Sequence, residues 1–271
     1  LLIEPWYDSY PASVVMAGGV CRYAKPASPG YVIDRDVLEA GVTSKTRMLV
    51  VNSPHNPTGR VYRESEWDVI EAFCVEHDLV LFSDEVYETL VFDGVHRSAL
   101  ARPELRSRSI VASSVGKTFS LTGWKIGWTV AAPPLTEAIR GAHQFTSFCV
   151  STPLQVGAVV ALELPDSYFE EFLRGYRSRR DQLVSGLRSI GLDPIVPQGT
   201  YFTLVDLAPL GVDDDRAFCE RLIRDLGVAA IPTSAFHEDR RSGPIRFAFC
   251  KQPEVLDQAI ERLSRIGELL P

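Results

Sequence analysis

The stretch LVLFSDEVY at residues 79–87 joins a short apolar run to a polar turn. Its first four residues are large and apolar, which predicts a buried strand, and its two acidic residues follow where that strand ends. The preceding segment, residues 64–77, has the spacing of a helix with one apolar face. The residues on that face are Trp67, Ile70, Phe73 and Cys74. A helix that leads into a buried strand is typical of a β-α-β unit, in which helices cover a parallel sheet.

The same alternation of apolar runs and polar loops extends along the first part of the chain. Three more runs are predicted to be strands: residues 49–51, 110–112 and 126–130. We therefore expect an α/β fold of three layers, with a mostly parallel sheet between helices. In such sheets, ligands bind beyond the carboxyl ends of the strands. The polar loops after these strands should therefore converge on one crevice: residues 52–59, 83–87 and 113–120.

The organisation changes after Leu164-Pro165-Asp166. We predict that Asp166 caps a long helix and that Gly191 ends it. Three arginines of this helix are expected to face solvent: Arg177, Arg179 and Arg180. Short strands are predicted near residues 201–205, 228–231 and 245–249, alternating with helices near 214–226 and 253–269. The chain is thus predicted to form a large domain over residues 1–164 and a smaller C-terminal α/β domain over residues 165–271.

Composition and charge exclude several classes of protein. The chain has 271 residues, of which 45% are hydrophobic and 23% charged, as in ordinary globular proteins. A formal net charge of -7 argues against nucleic acid or an anionic membrane as a partner. No apolar run approaches the roughly 20 residues needed to span a bilayer.

The cysteines indicate the compartment. All five are widely spaced and none forms a Cys-x-x-Cys pair, which favours a reducing, cytoplasmic location over a disulfide framework or a zinc site. No metal is expected. Because the chain opens without Met on an apolar run, Leu1-Leu2-Ile3, we expect an N-terminal segment to be missing.

Lys117 is the first candidate for chemistry. It lies in a loop of small and hydroxyl residues, SSVGKTFS at residues 113–120, where an amine can bond to an aldehyde. Taken alone, a loop lysine is more often simply solvated. Lys125 is the rival, but a cation eight residues on can instead hold a phosphate as a point charge while Ser114 donates its hydroxyl.

Asp84 and Tyr87 follow the strand of the opening stretch. A carboxylate there can keep a pyridine nitrogen protonated, which makes the ring an electron sink, and the Tyr87 hydroxyl can meet a phenolic oxygen. The alternatives are a turn aspartate and a core tyrosine. A cofactor with an aldehyde, a pyridine nitrogen, a phenolic oxygen and a phosphate needs all these partners. The sequence therefore predicts a site for pyridoxal 5'-phosphate.

The stretch NSPHNPTG at residues 52–59 also follows a predicted strand. Its two prolines and its glycine make a rigid turn that can aim the Asn56 amide into the crevice. The Asn56-Pro57 bond is the candidate for a cis peptide. His55 is expected to face solvent or to be structural rather than catalytic.

Two further residues complete the predicted site. Arg246 alternates with apolar neighbours in IRFAF at residues 245–249, and its guanidinium matches a substrate carboxylate with two parallel hydrogen bonds. An ion pair with an acidic side chain is the alternative. Tyr7 follows the first strand and can stack on the cofactor ring.

The ordered motifs resemble those of the class I/II aminotransferase family of fold-type I pyridoxal phosphate enzymes. In chain order, these motifs are Pro-x-Tyr, Asn-Pro-Thr-Gly, Asp-Glu-Val-Tyr, Ser-x-x-Lys and Ile-Arg-Phe. The run GKTFSLTGWKIGW at residues 116–128 is similar to kynurenine aminotransferases and cysteine conjugate β-lyases, and PHNPTG at residues 54–59 to N-succinyldiaminopimelate aminotransferases. Many relatives have arginine in place of Lys125, although this subgroup shares the lysine.

The resemblance implies a role for each candidate. Lys117 bonds to the cofactor aldehyde, Asp84 binds the ring nitrogen, and Arg246 binds the substrate carboxylate. The remaining cofactor contacts are Asn56 and Tyr87 on the phenolic oxygen, Ser114 and Lys125 on the phosphate, and Tyr7 on the ring. It also implies a homodimer whose active site borrows a residue from the neighbour, and an N-terminal glycine-containing phosphate loop that this chain lacks.

The implied activity is ping-pong transfer of an amino group from an amino acid to a 2-oxo acid, with 2-oxoglutarate as the expected acceptor. Two alternatives remain open from the sequence. One is β-elimination from a cysteine conjugate. The other is a ligand-sensing domain of a transcription regulator, which would carry an N-terminal DNA-binding module.

Overall fold

The computed structural model describes residues 1–270, which form two sheets covered by helices. The strands of the first sheet are β1 (Leu2–Ile3), β2 (Tyr23–Ala24), β3 (Met48–Asn52), β4 (Val80–Asp84), β5 (Ser109–Ser114) and β6 (Gly127–Ala131). The helices in this part of the chain are α1 (Ser9–Met16), α2 (Arg35–Glu39), α3 (Glu64–Glu76), α4 (Pro103–Arg106), α5 (Val115–Thr118), α6 (Pro133–Thr146) and α7 (Thr152–Leu162). The predicted strands and the predicted helix over residues 64–77 are confirmed to within two residues at each end.

The first sheet has the strand order β2-β1-β3-β4-β5-β6. Its pairings are parallel except that of β5 with β6, which confirms the predicted mostly parallel α/β fold. The apolar face of α3 packs on this sheet with Trp67, Ile70, Phe73 and Cys74 fully buried. The register pairs Asn52 at the end of β3 with Asp84 at the end of β4, so their carboxyl-end loops emerge side by side.

The second sheet is antiparallel and has the order β7-β8-β10-β9. Its strands are β7 (Pro194–Ile195), β8 (Phe202–Val205), β9 (Ile231–Pro232) and β10 (Ile245–Ala248). Its helices are α8 (Asp166–Ser189), α9 (Asp215–Arg221), which continues as a π-helical turn over Leu222–Leu226, and α10 (Pro253–Leu263). Of the strand predicted at residues 228–231, only Ile231 lies in a strand, the two-residue β9.

The core of the second sheet also takes in residues that follow β4. Leu90 and Phe92 are buried together with Val205 and Phe247, and Val91 forms an isolated bridge with Gly199. The chain thus passes from the first sheet into the second core directly after Asp84. The division at residues 164/165 remains a prediction, and Pro271 of the predicted small domain lies outside the described residues.

Two predictions about α8 need correction. Pro165 occupies the N-cap with extended backbone, so Asp166 is the first helical residue and its side chain makes no cap hydrogen bond. Arg180 is buried rather than solvent-facing, because it donates to Asp93 at 2.9 Å and to the Pro197 carbonyl at 3.4 Å. Gly191 does follow the helix end with φ of +85°. Within residues 1–270, no helix combines the length and the apolar character that crossing a membrane requires.

Candidate active site

Lys117 lies just beyond the end of β5, in the single turn of α5. The Ser114 hydroxyl caps this turn by accepting a hydrogen bond from the Gly116 amide at 3.3 Å. The Lys117 amine donates to the Tyr201 hydroxyl at 3.0 Å. It also lies 5.6 Å from the centre of the Tyr87 ring and 5.5 Å from that of Tyr201. The amine therefore lies against the Tyr87 and Tyr201 rings, here called the aromatic wall, and does not extend into solvent.

Asp84 ends β4 and is held by two donors. The Tyr10 hydroxyl donates to its Oδ2 at 2.6 Å, and the Val86 amide donates to its Oδ1 at 3.2 Å. Burial raises the pKa of Asp84 above its usual value, against these hydrogen bonds and the nearby Lys117 charge. β4 pairs in parallel with β5, with Asp84 opposite Ala112, so Asp84 and the turn that carries Lys117 follow the carboxyl ends of neighbouring strands.

Tyr87 and Tyr201 form the aromatic wall. Their rings pack edge to face with centres 5.3 Å apart. Burial raises the pKa of Tyr87 well above its usual value, and the neighbouring Tyr201 raises it further. Tyr201 is not identifiable from the sequence, because a tyrosine before a short strand has no local motif, and only the fold places it against Lys117.

Arg246 and Asn56 meet at the other end of the crevice. The Arg246 Nη1 donates to the Asn56 Oδ1 at 2.7 Å, and its guanidinium stacks over Phe202 at 4.1 Å. Within residues 1–270 its buried Nε has no hydrogen-bond partner, and Arg246 forms no ion pair with an acidic side chain. Burial lowers the pKa of Arg246. A guanidinium with an unsatisfied edge in an apolar setting favours a bound anion over the ion pair that was its alternative.

The turn that carries Asn56 is tied to the end of β4. The Asn52 side chain accepts a hydrogen bond from the Asn56 backbone N–H at 2.7 Å and donates one to the Asp84 backbone carbonyl at 2.8 Å. The Asn56–Pro57 peptide is cis, as predicted, and so is Ser53–Pro54. Asn52 thereby ties the backbone of the turn that carries Asn56 to the backbone at the end of β4.

His55 is structural and does not face solvent. Its Nδ1 lies 2.7 Å from the Thr58 hydroxyl, and the side chain is buried. Burial, together with the Arg60 charge, lowers the pKa of His55 to about 3, so the ring is neutral at ordinary pH. The solvent-facing interpretation of His55 was wrong.

Lys125 and Ser114 are brought together by the backbone. β6 pairs with β5 so that Gly127 lies opposite Ser114, and the Val115 amide donates to the Ile126 carbonyl at 3.2 Å. Lys125 is exposed and has left-handed backbone with φ of +57°. This residue therefore lies beside the turn that carries Lys117, where a cation and a hydroxyl can share one phosphate.

Tyr7, like Lys125, is an exposed member of the predicted site residues, with 43% of its surface exposed. Its ring packs edge to face against Tyr10 at 5.5 Å, and the Tyr10 hydroxyl bonds to Asp84. Tyr7 thus borders the Asp84 end of the crevice. Tyr10 was missed by the sequence analysis, since nothing in α1 signals that its hydroxyl meets a carboxylate.

These side chains fit pyridoxal 5'-phosphate. The crevice offers an amine for an aldehyde, an anchored carboxylate for a ring nitrogen, a phenol and an amide for a phenolic oxygen, and a guanidinium with a free edge for a carboxylate. The amine, the carboxylate, the phenol and the amide follow the carboxyl ends of parallel strands, and the guanidinium comes from β10 of the second sheet. Together they define a pyridoxal phosphate-dependent enzyme of fold type I.

The chain belongs to the aminotransferase class I and II family, whose model matches residues 1–263. It is 42% identical to a probable N-succinyldiaminopimelate aminotransferase of Mycobacterium tuberculosis over 99% of this chain and 71% of the relative. It is 34% identical to a kynurenine–oxoglutarate transaminase of Dictyostelium discoideum over 98% of this chain and 70% of the relative.

Solved structures agree with this assignment. The three-dimensional structure of N-succinyldiaminopimelate aminotransferase from Mycobacterium tuberculosis matches with a TM-score of 0.93 at 42% identity, covering 97% of this chain and 70% of that one. The protein is therefore a pyridoxal phosphate-dependent aminotransferase, as the motifs predicted.

Proposed function

We propose that Lys117 bonds to the cofactor aldehyde and that Asp84 binds the ring nitrogen. When bound, pyridoxal phosphate supplies an electron sink for the negative charge that develops at the substrate α-carbon. Asp84 sustains this sink by keeping a proton on the ring nitrogen, and its hydrogen bonds from Tyr10 and Val86 favour the charged carboxylate that this requires. The observation that supports the proposal is that Asp84 and Lys117 follow the carboxyl ends of two neighbouring parallel strands, β4 and β5.

Lys117 is also proposed to move the α-proton. Its amine, once free of the aldehyde, is the base in this crevice on a chain flexible enough to reach the substrate α-carbon. Tyr87 and Asn56 are proposed to hold the phenolic oxygen, Ser114 and Lys125 the phosphate, and Tyr7 the face of the ring.

Arg246 is proposed to bind the α-carboxylate of the substrate. Its Nη1 is occupied by Asn56, whereas its Nε is buried without a partner among the described residues. A carboxylate that satisfies this edge gains a charge-assisted hydrogen bond and removes an unpaired polar group. This orients the amino group of the substrate toward Lys117.

The acceptor is proposed to be 2-oxoglutarate, and the donor an amino acid of the kinds on which the relatives act. A donor screen with 2-oxoglutarate tests this, using N-succinyldiaminopimelate, kynurenine, methionine and glutamine. Formation of glutamate supports the proposal. Ammonia and pyruvate from a cysteine conjugate, without glutamate from any donor, would contradict it and indicate a β-lyase.

We further propose a cytoplasmic homodimer. Support for a dimer comes from apolar side chains left exposed on α1, α6 and α7, among them Met16 at 88% and Phe145 at 90% exposure. The five cysteines, all free, fit a reducing compartment. Sedimentation tests the dimer: the wild type should have the mass of two chains, and Phe145→Asp should shift it toward the mass of one. A wild type that sediments as a single chain would contradict the proposal.

A further inference from the structure

Tyr201 makes the direct side-chain contact with the Lys117 amine. The two residues come from different sheets and are 84 positions apart, yet the amine donates to the Tyr201 hydroxyl at 3.0 Å. Tyr201 precedes β8, whereas Lys117 follows β5. The contact therefore exists only when the two sheets are assembled.

The position of Tyr201 is fixed from several sides. Its carbonyl accepts from the Phe249 amide at 3.0 Å. Its ring packs edge to face on Tyr87 and stacks on Tyr176 with centres 6.2 Å apart. The hydroxyl is therefore presented by a rigid support, whereas the lysine that it meets has a flexible four-carbon chain.

This asymmetry has a chemical use, if the proposed role of Lys117 holds. A lysine that bonds to an aldehyde and later acts as a base is free for part of each cycle, and a free lysine chain has many rotamers. A fixed acceptor at its amine narrows these rotamers to those that keep the nitrogen in the crevice. We propose that Tyr201 is a positioning residue that holds the Lys117 amine whenever that amine is not bonded to the cofactor.

The proposed step is one of holding only, since no covalent bond forms or breaks at Tyr201. The hydroxyl accepts a hydrogen bond from the amine, and the amine leaves this partner when it attacks the aldehyde. Because the ring already packs against Tyr87 and Tyr176, a purely structural role would need the ring but not the oxygen. Tyr201→Phe separates packing by the ring from positioning by the hydroxyl, since it removes only the oxygen.

The test begins with the apoprotein, so that its readout does not depend on activity. Lysines are acetylated with a trace of acetic anhydride at fixed pH, and the rate at Lys117 is compared with that at exposed Lys125 by mass spectrometry. Removing a hydrogen bond of about 1 kcal/mol should raise the relative rate at Lys117 about fivefold in Tyr201→Phe. Tyr176→Phe is the matched control, because Tyr176 also packs on the Tyr201 ring but its hydroxyl makes no hydrogen bond with Lys117, and it should leave the ratio unchanged.

In the holoenzyme, the same Tyr201→Phe variant should lower kcat about fivefold and leave KM for the amino acid within about twofold, since positioning of the base and not substrate binding is lost. An unchanged Lys117 ratio in Tyr201→Phe, or an equal rise in Tyr176→Phe, would overturn the proposal. Because Lys125 is already exposed, loosened folding is checked separately, by requiring that Tyr201→Phe keep the urea midpoint of the wild-type apoprotein. A wild-type apoprotein in which Lys117 reacts as fast as Lys125 would overturn it as well. Failure of the proposed function is a separate result, since it is read from whether cofactor becomes attached to Lys117.

Discussion

Substitution of Tyr10 by phenylalanine removes one oxygen from the support of Asp84. That oxygen donates to Oδ2 at 2.6 Å, which leaves only the Val86 amide, at 3.2 Å, on the carboxylate. A hydrogen bond to a charged group contributes about 1.5–3 kcal/mol. We therefore expect the free energy of unfolding of the apoprotein to fall by about this amount near neutral pH, with a further rise in the Asp84 pKa.

The sign of the pH dependence follows from linkage. Burial raises the pKa of Asp84 in the folded chain, so its ionised form costs folding free energy at neutral pH, and the Tyr10 hydroxyl offsets part of this cost. The added cost in Tyr10→Phe is fully present above the folded pKa of Asp84. It fades as the pH falls through that pKa, because the carboxyl is then protonated in the folded state of both variant and wild type and the Tyr10 hydroxyl no longer meets a charge.

Urea unfolding followed by tryptophan fluorescence measures this directly, at neutral pH and again near the acid end of the folded range. The difference between Tyr10→Phe and wild type should shrink in acid. Tyr7→Phe is the control, because the Tyr7 hydroxyl makes no hydrogen bond with the described residues, and it should change stability by less than about 0.5 kcal/mol. An equal loss of unfolding free energy at both pH values would contradict this prediction, since it would mean that the Tyr10 oxygen acts through packing and not through the carboxylate charge.

Three further predictions concern the rest of the crevice. Lys125→Ala should weaken the binding of pyridoxal phosphate about tenfold or more in a fluorescence titration, through loss of a charged contact to phosphate; unaltered affinity would remove Lys125 from the phosphate site. Arg246→Ala should lower kcat/KM for amino acids by a factor of about 30 or more with cofactor affinity retained, and Arg246→Lys should recover only part, because it loses the planar fork. If both variants turn over normally, the carboxylate binds elsewhere. In His55→Gln, the free energy of unfolding should fall less steeply than in the wild type between about pH 6.5 and pH 3, because the neutral buried ring of the wild type takes up its proton on unfolding. An equally steep fall in both proteins would contradict this.

Much of the fold was predictable because its determinants are local. Apolar runs mark β3, β4 and β5, and the helical spacing of Trp67, Ile70 and Phe73 marks α3. A parallel register then brings the loops after neighbouring strands together, which is why Asp84 and the Asn56 turn could be placed at one edge from sequence alone.

What could not be predicted depends on contacts between distant segments. Tyr10 meets Asp84 across 74 positions and Tyr201 meets Lys117 across 84, and neither tyrosine has a local motif. Arg180 looked solvent-exposed among its neighbouring arginines, but the loop at Asp93 returns to cover it. The prediction that Asp166 caps α8 was wrong for a local reason, because Pro165 already provides the extended backbone that precedes the first turn.

The bond between Lys117 and the cofactor aldehyde, opposite Asp84, is the proposal on which the other assigned roles depend. The most direct measurement is borohydride reduction of the protein loaded with pyridoxal phosphate, followed by peptide mass spectrometry. The cofactor mass should appear on Lys117 alone and be lost in Lys117→Ala. A cofactor mass on Lys125 or another lysine, with Lys117 unmodified, would contradict the claim.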